Sequence, residues 1–266
     1  MTALRLTPLF AIGNWRAFRI IERNVLVYKH GWIVLFSGFF EPLFYLLSIG
    51  FGLDRLVGDV AGPGGQLIPY AVFVAPALLA ASSMNGAITE STFNFFFKLN
   101  YDKTFASILT TPMSPADISL GELIWALIRG ALYTIGFLAV MFLFGLARSP
   151  MILLTLPGAL LIGFAFAAVG MALTSFMRTW QDFDLIQLVM LPMFLFATTF
   201  FPLAVYPEAI EWVIQALPLY HGIELVRSFS TGAVSAFQLV NLTYLIAMGL
   251  VGMLVASRRI DRVLLK

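Results

Sequence analysis

Of 266 residues, 60% are hydrophobic and 11% charged, at a mean hydropathy of +0.92. Soluble domains carry about 25% charged residues, so this composition excludes water as the main solvent. A net charge of +2 is too small to recruit nucleic acid, and the absence of cysteine excludes disulfides and thiol ligands. A bilayer core about 30 Å thick takes roughly 20 helical residues per crossing, because there the backbone must satisfy its own hydrogen bonds. The apolar residues come in continuous runs rather than alternating ones, which favours helices over a barrel. The chain reads as an all-α integral membrane protein with a six-helix body at 32–257 and crossings at about 32–53, 67–89, 120–146, 151–177, 185–203 and 237–256.

Residues 1–31 precede the first apolar run. Trp15, Phe18, Ile21, Val25 and Tyr28 recur every three or four residues, while Arg16, Arg19 and Arg23 occupy the opposing arc. This predicts an amphipathic helix on the membrane surface, with arginines toward anionic lipid, or one packed on the protein's own cytoplasmic ends. The mixed charge of this segment argues against a cleavable signal peptide. Glu41, followed by Pro42, falls about nine residues into the first crossing, where a charge is costly and faces a partner or water. It reads either as a cavity-lining residue or as a carboxyl bonded to a neighbouring helix beside a proline kink. With Ser37, Ser82, Ser83 and Asn85 it forms the polar set that a translocation path would use.

Gly58, Gly62, Gly64 and Gly65, with Pro63, predict a turn-rich external connection. The next cytoplasmic segment, 98–119, predicts a short helix beginning at Lys98–Lys103 and stopped by Pro112 and Pro115, with Ser114 capping the turn toward Asp117. Glu90, Glu122 and Arg129 are the other charges inside crossings; an ion pair between Arg129 and one of the glutamates would lower the burial cost, and the sequence leaves the partner open. In the fourth crossing Ala159, Gly163, Ala167 and Gly170 make a flat stripe for a neighbouring helix. After the fifth, Tyr206-Pro207, an amphipathic stretch to Leu217-Pro218 and a second one through Tyr220 and His221 to Phe229 are each too short to span. They predict two half-depth or interfacial helices on the external side, candidates for an exit gate. A basic tail, 258–266, closes the chain.

With the N-terminus inside, twelve of the sixteen lysines and arginines fall on the cytoplasmic side, against Arg55, Arg148 and Arg227 outside and Arg129 within a crossing. This bias predicts that both termini are cytoplasmic. The enzyme templates are empty: no lysine follows the glycines of a phosphate loop, HExxH and GxSxG are absent, and His30 and His221 fall on opposite sides of the membrane.

Three segments together carry a resemblance: Glu41-Pro42-Leu43-Phe44-Tyr45-Leu46 through Gly50 and Gly52; Leu109-Thr110-Thr111-Pro112-Met113-Ser114-Pro115-Ala116-Asp117-Ile118 through Gly121-Glu122; and Leu217-Pro218-Leu219-Tyr220-His221 through Arg227. The chain resembles the permease subunit of a type-2 ABC transporter, nearest the NodJ and DrrB group of lipo-oligosaccharide and drug exporters. The resemblance implies a multi-pass protein of the bacterial plasma (inner) membrane, among lipids, paired with a second permease, identical or paralogous. Two copies of a separate cytoplasmic ATPase would carry ATP and Mg, with no cofactor on this chain. It further implies that the short cytoplasmic helix couples to the ATPase through Tyr101, Asp102, Lys103, Thr104, Phe105 and Ile108, with Phe105 and Ile108 filling a groove in the partner. Glu22 and Arg23 would join from the surface helix, and the external pieces would be re-entrant helices. The competing reading is an ion-coupled secondary transporter using Glu41, Glu90 and Arg129 as a relay; no inverted repeat supports it. A membrane-embedded enzyme lacks a converging nucleophile, metal set or acid–base pair.

Overall fold

The computed structural model describes residues 14–29 and 31–264, with side chains throughout except at 14, 15 and 32–37. The Ser37 side chain, His30, Arg5 and Lys266 therefore lie outside the described residues. Helix α1 (Asn14–Tyr28) leads into α2 (Trp32–Tyr45), which continues through a widened turn at Leu46–Gly50 into α3 (Phe51–Val57). An antiparallel hairpin of β1 (Asp59–Ala61) and β2 (Leu67–Pro69) follows, turning at Gly64 and Gly65, both at positive φ. Asp54 on α3 accepts a 2.8 Å bond from the Ala71 amide and so caps the start of the next helix.

That helix, α4 (Tyr70–Thr89), is the centre of the molecule. It is apolar all round and buried from Tyr70 to Met84, as a helix surrounded by others must be. Two widened turns, at Glu90–Asn94 and Phe97–Tyr101, carry it on to Tyr101. The Lys98–Tyr101 segment is thus the end of this long helix rather than the beginning of a cytoplasmic one. Lys103 at φ 50 breaks the run, and only α5 (Thr104–Ile108) remains as the short helix.

Helix α6 (Pro115–Leu143) starts where local chemistry dictates. Ser114 Oγ accepts from the Asp117 amide at 3.2 Å, Asp117 Oδ2 accepts from the Ser114 amide at 2.9 Å, and Pro115 takes the first helical position. Both partners of this reciprocal cap are satisfied by each other. Ser114→Ala is expected to lower stability by about 1 kcal/mol, read from an SDS-unfolding equilibrium; an unchanged midpoint would remove the cap from the account of this helix.

A tight turn at Pro150–Leu154 enters α7 (Thr155–Thr174), followed by α8 (Asp182–Phe196), α9 (Glu208–Gln215), α10 (Pro218–Thr231) and α11 (Gln238–Leu264). The small-residue stripe of α7 faces α4: Gly170 lies against Ser91, and Ser83 Oγ donates 2.7 Å to the Ala159 carbonyl. Its other side meets α11, where a β-carbon on Gly252 would come within 2.7 Å of the Val169 nitrogen. Such close backbone approach is what small residues permit when no hydrophobic force separates helix from lipid.

Among the described residues, four helical runs are long and apolar enough to cross a membrane: Tyr70–Tyr101, Pro115–Leu143, Pro150–Thr174 and Gln238–Leu264. The α2–α3 run is interrupted at its widened turn. Helix α8 has only 15 residues, about 22 Å at 1.5 Å per residue, because the chain leaves helical geometry after Phe196 rather than continuing to 203. Helix α1 differs from the sequence reading. It buries Ala17, Ile20, Ile21 and Asn24 against α6, where Ile20 seats on Gly121, and leaves Phe18 and Val25 of the expected apolar arc exposed.

Candidate functional site

Four charges meet inside the helix bundle. Glu90 lies in the first widened turn of α4 and Lys98 two turns further on; Glu122 and Arg129 lie on α6. Arg129 Nη1 donates to Glu90 Oε2 at 2.8 Å, and Lys98 Nζ stands 3.2 Å from Glu90 Oε1 and 2.7 Å from Glu122 Oε2. All four residues are buried. Isolated, each charge would cost several kcal/mol to desolvate; alternating in sign, they neutralise one another, and neutral groups take the remaining valences. Asn24 Nδ2 donates to Glu122 Oε1 (3.3 Å), Asn94 Nδ2 to Glu90 Oε2 (2.7 Å), Tyr28 Oη to the same oxygen (3.3 Å), and Arg129 Nε to Tyr133 Oη (3.0 Å). Burial first, and then the Glu90 carboxylate, push the Tyr28 phenol well above its ordinary range, so it stays a donor. Glu90 is the partner of Arg129 that the sequence left open. Lys98, counted there among the cytoplasmic lysines, lies instead in the network.

Beside the network is a cavity of about 330 Å³ with walls from α2, α4, α6 and α8. It takes in Glu41 and Asn85 of the path candidates, with Thr89, Arg129, Tyr133 and Gln187. Ser82 and Ser83 are not on it. Ser83 is fully engaged with the Ala159 carbonyl, and Ser82 is buried with no bond to its hydroxyl among the described residues. Both therefore belong to packing around α4. A larger groove, about 1140 Å³ and almost wholly apolar, runs between α7, α8, α9 and α11 and shares Ile88 and Met190 with the polar cavity.

At the α5 end of the bundle, Tyr101, Asp102 and Lys103 are exposed and Thr104 and Ile108 half-buried. Phe105 is not available to a partner's groove: it is fully buried, with its ring 4.9 Å from Phe95. The α5 helix is too short to hold itself, and this phenyl ring anchors it to the α4 extension. Helix α1 is tied to the same region. Arg16 Nη1 donates to the Pro112 carbonyl at 2.8 Å, Arg23 Nη2 lies 3.5 Å from Thr104 Oγ1, and Arg19 pairs with Glu22 at 2.7 Å on the exposed side.

At the opposite end of the molecule, Arg227 of α10 is almost fully buried. It donates from Nε to the Phe73 carbonyl (3.2 Å), from Nη1 to Glu224 Oε1 (2.6 Å) and from Nη2 to the Thr198 carbonyl (2.6 Å), and its guanidinium lies 3.8 Å from the Phe73 ring centre. It thereby joins α10, the top of α4 and the turn after α8, where Thr198 sits at φ 59. Of the gate candidates, Tyr220 and His221 are buried, His221 Nδ1 donating to Asn241 Oδ1 at 2.7 Å and stacking on Tyr244; Tyr206, Leu217 and Pro218 are half-buried and Pro207 is exposed.

The sequence from 17 to 231 matches the ABC-2 type transporter family. The chain belongs to that family. It is 34% identical to Nodulation protein J of Sinorhizobium fredii (strain NBRC 101917 / NGR234) over 225 residues, 84% of each chain. Identity is 30% to Nodulation protein J of Rhizobium meliloti (strain 1021), over 83% of each, and 31% to that of Rhizobium leguminosarum bv. viciae, over 82% of this chain and 83% of the other. As an ABC-2 permease it is a multi-pass subunit of a bacterial membrane, the transmembrane part of an exporter that works with a partner permease and with a separate ATPase subunit.

Among the described residues of the permease, no group of three His, Asp or Glu side chains could hold a metal ion. The network ties α1 and the α4 extension to α6. Two buried cations, Lys98 of the network and Arg227 at the other end of the molecule, were not singled out in the sequence, where Lys98 began a short cytoplasmic helix and Arg227 fell on an external one. One signal was available for Lys98: it is eight residues after Glu90, on the same helical face.

Proposed function

We propose that this permease forms, with a second copy, the path by which an amphiphile, a lipid-linked saccharide, glycolipid or hydrophobic drug, leaves the cytoplasmic side. Six crossings are assigned, counting α2–α3 and α8 with the four long helices, and both termini face the cytoplasm. Two ATPase subunits bind ATP and Mg, dock on the exposed Tyr101–Lys103 corner and α5, and close on each other. The α4–α6–α1 unit moves with them. Differential contact with the two ATPase states supplies the free energy for that movement. Glu41 and Asn85 line the path, and α9 and α10 cap its outer end as re-entrant helices. The observation that carries this reading is the family match over most of the chain; a polar cavity that adjoins an almost wholly apolar groove is consistent with a path for an amphiphile.

The test is reconstitution of the chain in proteoliposomes with and without a candidate ATPase. Substrate movement is expected only with the ATPase and ATP. Movement driven by a proton or sodium gradient without ATP would instead support the relay through Glu41, Glu90 and Arg129. In the same preparation, Asp102→Lys with Lys103→Glu is expected to weaken ATPase association by about tenfold, on the order of 1.4 kcal/mol. Phe105→Ala, by contrast, acts on folding of the α5 corner. Association unchanged by the charge reversal would move the docking site elsewhere.

A further inference from the structure

The charge balance of the 330 Å³ cavity depends on which of its wall residues are already committed. Glu90 and Glu122 are matched by Lys98 and Arg129. Arg129 directs Nη1 to Glu90 and Nε to Tyr133. Glu41 is the surplus acid. It is exposed to the cavity and, among the described residues, forms no hydrogen bond or ion pair. A carboxylate within a crossing is costly unless water, a cation or hydrogen-bond donors face it. Asn85, Thr89 and Gln187 also line the cavity, and their side-chain oxygens can serve as neutral acceptors. A phosphate or carboxylate entering this space meets the Glu41 charge and an arginine whose charge is already matched. An ammonium group meets a counter-charge and acceptors.

We propose that this cavity binds the ammonium headgroup of an amphiphile, with Glu41 as its counter-charge. The proposal rests on Glu41 and Asn85 lining the export path and adds the sign of charge that they select. Ile88 and Met190 wall both this cavity and the apolar groove, so a hydrocarbon chain attached to a headgroup held here has an apolar surface beside it.

The experiment is equilibrium binding of carbon-14 dodecylamine, dodecanol and dodecanoate at neutral pH to the permease–ATPase complex in phosphatidylcholine nanodiscs, without ATP, with empty discs subtracted. Dodecylammonium is expected to bind more tightly than either analogue. Glu41→Gln should weaken it about tenfold or more, the scale of a lost charge-assisted hydrogen bond, and leave dodecanol within about twofold. Gln187→Glu, which adds a second acid at an exposed wall position, should tighten it. Dodecylammonium binding unchanged in Glu41→Gln, no gain in Gln187→Glu, or dodecanoate bound as tightly as the amine would each overturn the proposal. Because binding is read without ATP, a failure of ATP-driven transport leaves this result standing, and intact transport with unaltered binding sinks this inference alone.

Discussion

Lys98→Met is expected to destabilise the permease by about 3–5 kcal/mol, the cost of leaving a buried charge without its partner. Lys98 is the cation between Glu90 and Glu122. Glu90 retains Arg129, but Glu122 then keeps only the Asn24 amide among the described residues. The second substitution decides the cause. Lys98→Met with Glu122→Gln removes the stranded charge and should recover more than half of the loss, since replacing both members of a buried pair is often near neutral. An SDS-unfolding equilibrium in mixed micelles measures both variants. A single variant within 1 kcal/mol of wild type, or a double variant as unstable as the sum of the two single ones, would show that the network is not what locks α1 and the α4 extension to α6.

Arg227→Leu is expected to cost a similar 3–5 kcal/mol, felt at the opposite end of the molecule. The guanidinium satisfies two backbone carbonyls, those of Phe73 and Thr198, on segments far apart in the chain, and pairs with Glu224. Leucine fills much of the volume but strands those acceptors, and Thr198, a β-branched residue at φ 59, loses the bond that holds its turn. Arg227→Lys keeps the charge but lacks the planar fork that reaches several acceptors at once, so it should rescue less than half of the loss. Limited proteolysis reads the local effect: cleavage between α8 and α9 should rise in Arg227→Leu while the α5 end stays resistant. Protection equal to wild type would mean that this turn is held by packing alone.

The helices were legible because each obeys a local rule. Continuous apolar runs located α4, α6, α7 and α11, although the run of α4 continues to Tyr101 and α11 to Leu264, past the expected ends at 89 and 256 and through most of the expected basic tail; the Ser114-Pro115-Asp117 cap marked the start of α6; Pro207 and Pro218 divided the external pieces. Misreadings came where a residue's environment is built by distant segments. Lys98 and Arg227 looked like charges on short peripheral helices, because only their partners on α6 and at Phe73 and Thr198 bring them inside. The resemblance implied Phe105 as a docking side chain, whereas contact with Phe95, ten residues earlier, buries its ring. In α1, periodicity selected an aromatic arc, while fit against Gly121 selected the small and aliphatic side.

Composition alone determined that this protein lives in a membrane, and three short motifs placed it among ABC-2 permeases, because hydropathy and motif spacing are properties of contiguous residues. Which charges cancel, which helix carries which, and where a carboxylate is left facing a cavity were decided only in the folded chain. Those are sums over groups separated by tens of residues, and burial, which sets the cost of each charge, exists only once the helices have packed.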